Sequence, residues 1–523
     1  MRKFIGYLSA FFAIVLSLFH LYTGAKGSFD PWTQRVIHLG LGFVITFFTY
    51  PMMKGKKINI LDILLALISI AAGLYVIIYM DAIIDRSGMP NKWDVFFGVV
   101  TIILVLEMTR RVIGLPLVIV SLVFLLYAYF GKYFPEPLAH RGYDFERISA
   151  HMYTTLEGIY GVPIGVSASY VILFVIYGAF LEATKTGDFF INIANSIAGK
   201  AQGGPAKVAV ISSALFGTIS GSAVANVVST GTYTIPLMKR TGYKSHFAAA
   251  VEAVASSGGQ LMPPVMGAAA FVISEMTGVS YLKICLAATI PAILYYVGVF
   301  VAVHMEAKRI GLKGLSAEEV PPFWGTLKSQ GYLALSAGVL IYFLAIKLTS
   351  PSFAVFWAIV ASLILSAIKK DTRLNFKTFL KALEIGAKGS ISVIAACACA
   401  GIVVGVVTLT GLGLKFSSAI LALAHGNVYL TLIYTMIASL ILGMGLPTTA
   451  AYIICAILAV PALTNLGINP LGAHLFVFYF AIISAITPPV ALAAYAAAGI
   501  ADTDPMKTGF TACRIGLASF IVP

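Results

Sequence analysis

Apolar runs long enough to cross a membrane recur along the whole chain and are separated by short polar loops. A spanning helix needs about 20 mostly apolar residues, and at least ten such runs can be read in the 523 residues. The pattern therefore predicts an all-α polytopic membrane protein. The first run, residues 3–23, is not followed by a small-residue cleavage site, so we predict that it is a retained span and not a signal peptide.

Composition and charge agree with this pattern. Hydrophobic residues make up 59% of the chain and charged residues 11%, whereas a soluble domain carries roughly 25% charged residues. The chain therefore requires lipid around it. Its net charge of +14 does not indicate a nucleic-acid partner, because the bases cluster in short loops between apolar runs. That distribution is the positive-inside pattern, which reports orientation in the membrane.

The runs divide the chain into two units. Residues 1–111 contain four runs with little polar content inside them, joined by loops of modest length, and we interpret this segment as a four-helix scaffold unit. Residues 112–523 form the second unit. Its runs differ, because several are too long for one span or are broken by Gly, Ser and Pro.

The first over-long run covers residues 206–237 and is interrupted by Gly-Thr-Ile-Ser-Gly-Ser at 217–222. As a single helix it would extend about 48 Å, well beyond the roughly 30 Å hydrocarbon core of a bilayer. Basic residues flank both of its ends, which places both ends on the cytoplasmic side. The run is therefore predicted to be a re-entrant helical hairpin with its tip at 217–222.

A second run of this kind covers residues 429–463 and is broken by Gly-Met-Gly-Leu-Pro-Thr-Thr at 443–449. Its flanks lack Lys and Arg, so this hairpin is predicted to open to the outside. Each hairpin is followed by a helix interrupted at a double proline. The two double prolines lie at 263–264 and 488–489. They are separated by the same number of residues as Pro236 and Pro461. The sequence predicts an inverted repeat, with one copy at about 160–280 and the other at about 388–502.

Broken helices at mid-membrane carry the predicted site. Inverted repeats with such breaks are typical of secondary transporters, which hold their solute where the breaks meet. Free backbone amides there suit an anion, and free carbonyls suit a cation. The alternative is that Gly and Ser only allow close helix packing. The predicted ion- and substrate-binding residues are Ser220, Gly221, Ser222, Asn226, Gly258, Gly259, Pro263, Pro264, Gly443, Gly445, Pro447, Thr448, Thr449, Thr487, Pro488 and Pro489.

Two further hypotheses concern the coupled ion. We predict that Ser220 and Ser222 hold Na⁺ together with carbonyls freed at Gly258 and Gly259, since hard cations favour oxygen ligands. Glu252 is a candidate proton carrier, because an acid inside a membrane is a functional hypothesis by default. The alternative is that Glu252 is an interfacial or paired acid near His246 and Lys244. No cofactor is expected, and no metal site beyond the transported Na⁺.

At these residues the chain resembles a known family. The segment Ile-Ser-Gly-Ser-Ala-Val-Ala at 219–225, the Met-Pro-Pro break and the Gly-Met-Gly-Leu-Pro-Thr-Thr hairpin are similar to the large permease subunit of TRAP (tripartite ATP-independent periplasmic) transporters. The first four spans resemble the small subunit fused to its front, most similar to the TAXI subgroup. The resemblance implies an elevator-type symporter in the cell inner membrane, present as a monomer of the fused chain.

The resemblance also implies the function and the partners. We expect the chain to import a small organic acid of the carboxylate class. A periplasmic binding protein would deliver the acid, and a gradient of Na⁺ or H⁺ would drive its import. One alternative is an ion-coupled dicarboxylate symporter of similar architecture that needs no binding protein. A membrane-embedded enzyme is a weaker alternative, because the eight His residues are scattered along the chain. We therefore expect a transporter and not an enzyme.

Overall fold

The computed structural model describes residues 2–53, 58–86, 88–136 and 138–521, and throughout these ranges every regular element is helical. Of Arg2, Lys3, Ile219 and Ser220 only the backbone is described. Seven of the described helices are long and apolar enough to span a membrane, and further apolar helices of 10–17 residues accompany them. The prediction of an all-α polytopic membrane protein is confirmed. Several of the predicted runs are pairs of these shorter helices.

Seven helices precede the first repeat. They are α1 (Arg2–Lys26), α2 (Pro31–Thr49), α3 (Ile60–Ile78), α4 (Met80–Asp85), α5 (Lys92–Val112), α6 (Leu115–Phe130) and α7 (Phe145–Tyr153). Local sequence explains several of their starts. Asp30 caps α2, with Pro31 in the first turn, and Asn91 and Asp94 form a capping box at α5. Such caps satisfy amides that have no partner inside the helix.

The first repeat begins with α8 (Val162–Val166), a π-helical turn (Ser167–Val171) and α9 (Ile172–Ala183). It continues with α10 (Thr186–Ala198), α11 (Gly204–Ser220), α12 (Ala223–Arg240), α13 (Ser245–Gly258) and α14 (Ala269–Thr277), and its predicted bounds end before α15 (Tyr281–Arg309). Three helices follow it, α16 (Phe323–Gln330), α17 (Leu335–Ile341) and α18 (Pro351–Ser366).

The predicted second repeat begins in α19 (Phe376–Thr410) and continues with α20 (Leu412–Leu423), α21 (Val428–Gly443), α22 (Thr448–Thr464), α23 (Pro470–Ile483) and α24 (Leu492–Ala501), and it is followed by α25 (Pro505–Ile515) and α26 (Leu517–Ile521). Its helix boundaries follow the offset read from the motifs. The starts of α12 and α22, and likewise those of α13 and α23, are separated by the same interval as the two double prolines. The opposite orientation of the two copies stays a prediction.

Both hairpin breaks are shorter than the sequence indicated. The first helix of the leading hairpin continues through Gly217 to Ser220, so the break is confined to Gly221 and Ser222. Gly221 has a φ of +62°, a left-handed conformation that glycine adopts without a Cβ penalty. The break of the second hairpin covers residues 444–447, between α21 and α22. The prediction of a tip starting at residue 217 was therefore wrong by about one helical turn.

Helix α19 organises the packing between the two units. Its 35 residues extend about 52 Å, and α1, α5, α6, α9 and α22 all pack against it. The scaffold segment also makes buried polar contacts, which the sequence did not suggest. Hydrogen bonds join His20 to His38 and His38 to Ser167, each at 2.9 Å. At α5, the buried Arg111 guanidinium lies 2.6 Å from Asp62 and 2.8 Å from Glu107.

The predicted orientation of the hairpins can be tested by labelling. We expect Lys200→Cys, before the first hairpin, and Asn465→Cys, after the second, to react with an impermeant thiol reagent from opposite faces of the membrane. Both side chains are exposed, whereas Lys207 is buried over the Phe300 ring. The parent chain is the control, because four native cysteines are buried and Cys513 is half-buried. Labelling of both positions from one face would contradict the inverted repeat.

Candidate functional site

A cavity of about 730 Å³ lies where the two hairpins meet. One part of its lining is the break and first turns of α12, from Gly221 to Ser229, and another part is residues 446–449 at the start of α22. Apolar residues of α9 and α19, together with Phe271 of α14, close the remaining sides. The cavity therefore has about the volume of a small-molecule site and contacts both copies of the repeat.

Two helices begin at this cavity. Ser222 is the N-cap of α12, and Pro447 occupies the same position at α22, where no side chain caps the helix. The first amides of a helix lack partners within it and carry the positive end of its dipole. Two such ends therefore lie at one cavity, which is an arrangement that stabilises bound negative charge.

Gln260 adds a side-chain donor that the sequence interpretation missed. It follows α13, is 2% exposed and lines the cavity, and its Nε2 has no hydrogen-bond partner among the described residues. An unpaired buried amide group is costly in free energy, so a ligand acceptor in the cavity would relieve it. The signal in the sequence was a lone polar residue between the Gly-Gly pair and the double proline. Glu182 is the ionisable member of the described lining.

The structure brings together five of the predicted site residues. Gly221, Ser222, Pro447, Thr448 and Thr449 all line the cavity. The remaining described candidates, Asn226, Gly258, Gly259, Pro263, Pro264, Gly443, Gly445, Thr487, Pro488 and Pro489, do not line it. The Ser220 side chain lies outside the described residues, so its predicted role stays a prediction.

Several of these candidates shape the walls instead. The Asn226 amide donates to Ser213 O at 2.8 Å, which joins the two arms of the first hairpin. Thr487 donates to Ile483 O at 2.8 Å, and Ser484 donates to Gly443 O at 3.2 Å. Gly445 has a φ of +73°. These contacts hold the backbone at the breaks.

Gly258 and Gly259 are packing residues. A Cβ on Gly258 would overlap the Tyr295 ring, and one on Gly259 would lie 2.6 Å from Gly217 Cα. Their carbonyls are also not free, because Gly258 O accepts from Leu261 N at 3.0 Å and Gly259 O from Met262 N at 3.2 Å. The structure therefore gives no support to these carbonyls as freed Na⁺ ligands.

Glu252 lies inside the protein. Its side chain is fully buried on α13, and four hydroxyl groups surround its carboxyl group. The alternative of an acid paired with His246 or Lys244 was wrong, since the described residues form no ion pair with Glu252 and its polar contacts are hydroxyls.

An all-helical membrane chain with two broken helical hairpins that line one cavity of about 730 Å³ has the architecture typical of a membrane transporter. Comparison with known families agrees. The sequence model of the tripartite ATP-independent periplasmic transporter, DctM component, matches residues 100–523. The chain belongs to this family of TRAP transporter large permease proteins, which are multi-pass proteins of the inner membrane and not enzymes.

Curated relatives support the same assignment. The isethionate TRAP transporter permease protein DctMQ of Oleidesulfovibrio alaskensis is 23% identical over 63% of this chain, and the match spans 51% of that relative's length. The C4-dicarboxylate TRAP transporter large permease protein DctM of Pseudomonas aeruginosa is 26% identical over 61% of the chain and 74% of its own length. The 2,3-diketo-L-gulonate TRAP transporter large permease protein YiaN of Escherichia coli is 24% identical over the same shares.

The close approach of Gly217 and Gly259 predicts a stability effect. We expect Gly217→Ala to destabilise the folded protein by about 1–3 kcal/mol, as overpacking does, because the added methyl group overlaps Gly259 Cα. Thermal unfolding in detergent measures it. Gly40→Ala, where a Cβ meets open space, is the matched control. Equal melting temperatures for both variants would contradict the packing role.

Proposed function

We propose that this chain is the membrane permease of a TRAP system that imports a small organic acid. The observation that carries the proposal is the cavity between the hairpins, on which two helix N-termini and the unpaired Gln260 amide converge. These are all hydrogen-bond donors. Donors without a basic side chain suit a carboxylate or another oxyanion that must be released again after transport.

The remaining part of the proposal rests on membership of the TRAP permease family and on the arrangement of the hairpins and broken helices. A periplasmic binding protein delivers the acid, and a gradient of Na⁺ or H⁺ drives its uptake. The two hairpins and their broken helices move together as an elevator past the scaffold. The names of the relatives fit this substrate class, since isethionate, C4-dicarboxylates and 2,3-diketo-L-gulonate are organic acids.

The second part of the proposal concerns the residues that precede the family match. Helices α1 to α4 and the start of α5 precede residue 100, where the match begins. They pack on the permease through α19 and the His20–His38–Ser167 contacts. We propose that they are the small subunit fused to the large one, as in the TAXI subgroup, and that the fused chain works as a monomer.

For Na⁺, the break of the first hairpin remains the proposed site. The Ser222 hydroxyl lies at the cavity and accepts from Ala225 N at 3.4 Å, and Ser222 follows the carboxyl end of α11 after Gly221 alone. That end carries partial negative charge. Hydroxyl and carbonyl oxygens are the ligands that hard cations favour.

Reconstitution tests the transport function. We expect proteoliposomes of the purified chain to accumulate a labelled organic acid, from a panel of succinate, isethionate and 2,3-diketo-L-gulonate, only when a matching TRAP-type binding protein is added. Empty liposomes with the same binding protein are the control. Efficient uptake without any binding protein would favour the alternative of a direct dicarboxylate symporter.

The cavity assignment is tested at Gln260. We expect Gln260→Ala to weaken the apparent affinity for the transported acid, because the acid loses a buried donor. A lost hydrogen bond of about 1–3 kcal/mol corresponds to roughly 5- to 150-fold. The matched control is Gln330→Ala, whose amide contacts Asn192 outside the cavity. An unchanged affinity in the Gln260 variant would exclude this residue from the site.

A further inference from the structure

Glu252 is enclosed by hydroxyl groups from three helices. Its Oε1 accepts from Ser213 of α11 at 2.8 Å, from Thr230 of α12 at 2.5 Å and from Ser256 of α13 at 3.0 Å. Its Oε2 accepts from Thr234 of α12 at 2.5 Å. We call Ser213, Thr230, Thr234 and Ser256 the hydroxyl cage. The carboxyl group itself is 0% exposed.

The hydroxyl cage can satisfy both protonation states of the carboxyl group. When Glu252 is ionised, all four hydroxyls can donate to it. When it is protonated, the acid proton on Oε2 can be donated to Thr234, whose own hydrogen can then turn to Thr230 O at 3.1 Å. Thr230 can likewise turn to Asn226 O at 2.8 Å. Hydroxyls donate and accept as they rotate, so neither state leaves a buried polar group unpaired.

The spacing of the oxygens suits a hydrogen and not a cation. Hydroxyl and carboxyl oxygens are 2.5–3.0 Å apart. Two oxygens bound to one cation at about 2.4 Å and at right angles would be roughly 3.4 Å apart. The helices would have to separate before the cage could admit Na⁺ between the carboxyl group and its partners.

Charged groups on the surrounding helices lie at helix ends, away from the hydroxyl cage. Tyr296 of α15 is a titratable residue that contacts α13, since its hydroxyl donates to Ala255 O at 2.8 Å. Among the described residues, the other titratable groups on the helices packed against α13 are Lys207, Tyr233, Lys239, Arg240, Tyr281, Lys283, Cys285, Tyr295, His304, Glu306, Lys308, Arg309, His474, Tyr479, Tyr495, Lys507, Cys513 and Arg514, with His246 on α13 itself. The hydroxyl cage therefore balances Glu252 without a fixed positive charge.

The repeat shows that the fold does not require this cluster. At the interval that relates the two double prolines, the second copy carries Val477 in place of Glu252, and the four cage positions become Ala438, Cys455, Ala459 and Ala481. The same helix packing is thus built with apolar side chains. A buried acid that the architecture can do without points to a functional role.

The hydroxyl cage also joins the elements that form the cavity. Thr230 follows Ser229, which lines the cavity, and α13 leads from Glu252 to Gln260. An ionised carboxylate draws donors from α11, α12 and α13 together, and protonation weakens those hydrogen bonds, because charge-assisted bonds are the stronger ones. The proton state of Glu252 can therefore bias how the first hairpin packs on α13.

We infer that Glu252 and its hydroxyl cage form a proton-binding site that couples acid uptake to a proton gradient. The coupling part rests on the proposed transport function, whereas proton binding itself does not. Glu252 thereby provides a second ion site, separate from the Na⁺ site proposed at the break of the first hairpin.

Infrared difference spectroscopy of the reconstituted chain tests proton binding without any solute. We expect a pH change to produce a carbonyl band of a protonated carboxyl group that is lost in Glu252→Gln and restored in Glu252→Asp. Glu182→Gln, at the cavity wall, should retain the band. Thermal unfolding confirms that the variants are folded. A band unchanged by Glu252→Gln, or one that responds to Na⁺ at constant pH and not to pH, would overturn the proposal.

Transport of the acid identified from the panel, with its binding protein, tests the coupling. We expect Glu252→Gln to retain exchange of labelled for unlabelled acid and to lose accumulation driven by a pH gradient. Accumulation by Glu252→Gln equal to that of the parent chain would overturn the coupling. A parent chain that shows the infrared band but transports none of the acids would contradict the proposed function alone.

Discussion

Every backbone amide and carbonyl inside a bilayer must find a partner within the protein, and the rest of this structure depends on that constraint. A continuous helix satisfies this constraint through its own backbone hydrogen bonds. The interruptions at Gly221–Ser222 and at residues 444–447 do not, so they persist only where side chains, neighbouring helices or a ligand complete them. Ser484 provides part of this completion at the second interruption, because it donates to Gly443 O. The remaining free amides at the starts of α12 and α22 face the cavity.

The two copies of the repeat share a backbone plan but differ in chemistry. The first copy places an acid and four hydroxyl groups between its hairpin and the following helix, and the second places Ala, Cys and Val at the same offset. At the cavity the difference recurs, because Gln260 in the first copy corresponds to Ala485 in the second. Pseudo-symmetric packing therefore does not imply a symmetric site. The polar groups that can respond to an ion or an anion are concentrated in the first copy.

The contact between the scaffold segment and the permease is polar as well as apolar. A histidine pair and Ser167 link α1 and α2 to the π-helical turn before α9, and within the scaffold segment Arg111 holds the end of α5 to α3. Breaking one partner of such a buried pair leaves an uncompensated group. Such contacts attach the segment to the permease at specific residues.

The sequence by itself determined the class of protein, the positions of the breaks to within a turn and the constant offset between the two copies, because hydrophobic length and the placement of Gly and Pro are local properties. It also identified Ser222, Thr448 and Thr449, which lie at the breaks. The tertiary structure decided which candidates meet: it placed Gly258 and Gly259 against Tyr295 and Gly217 and brought Gln260 to the cavity. It also enclosed Glu252 in hydroxyl groups that come from three helices. Such contacts depend on the rotation and approach of helices distant in sequence, which no run of residues specifies alone.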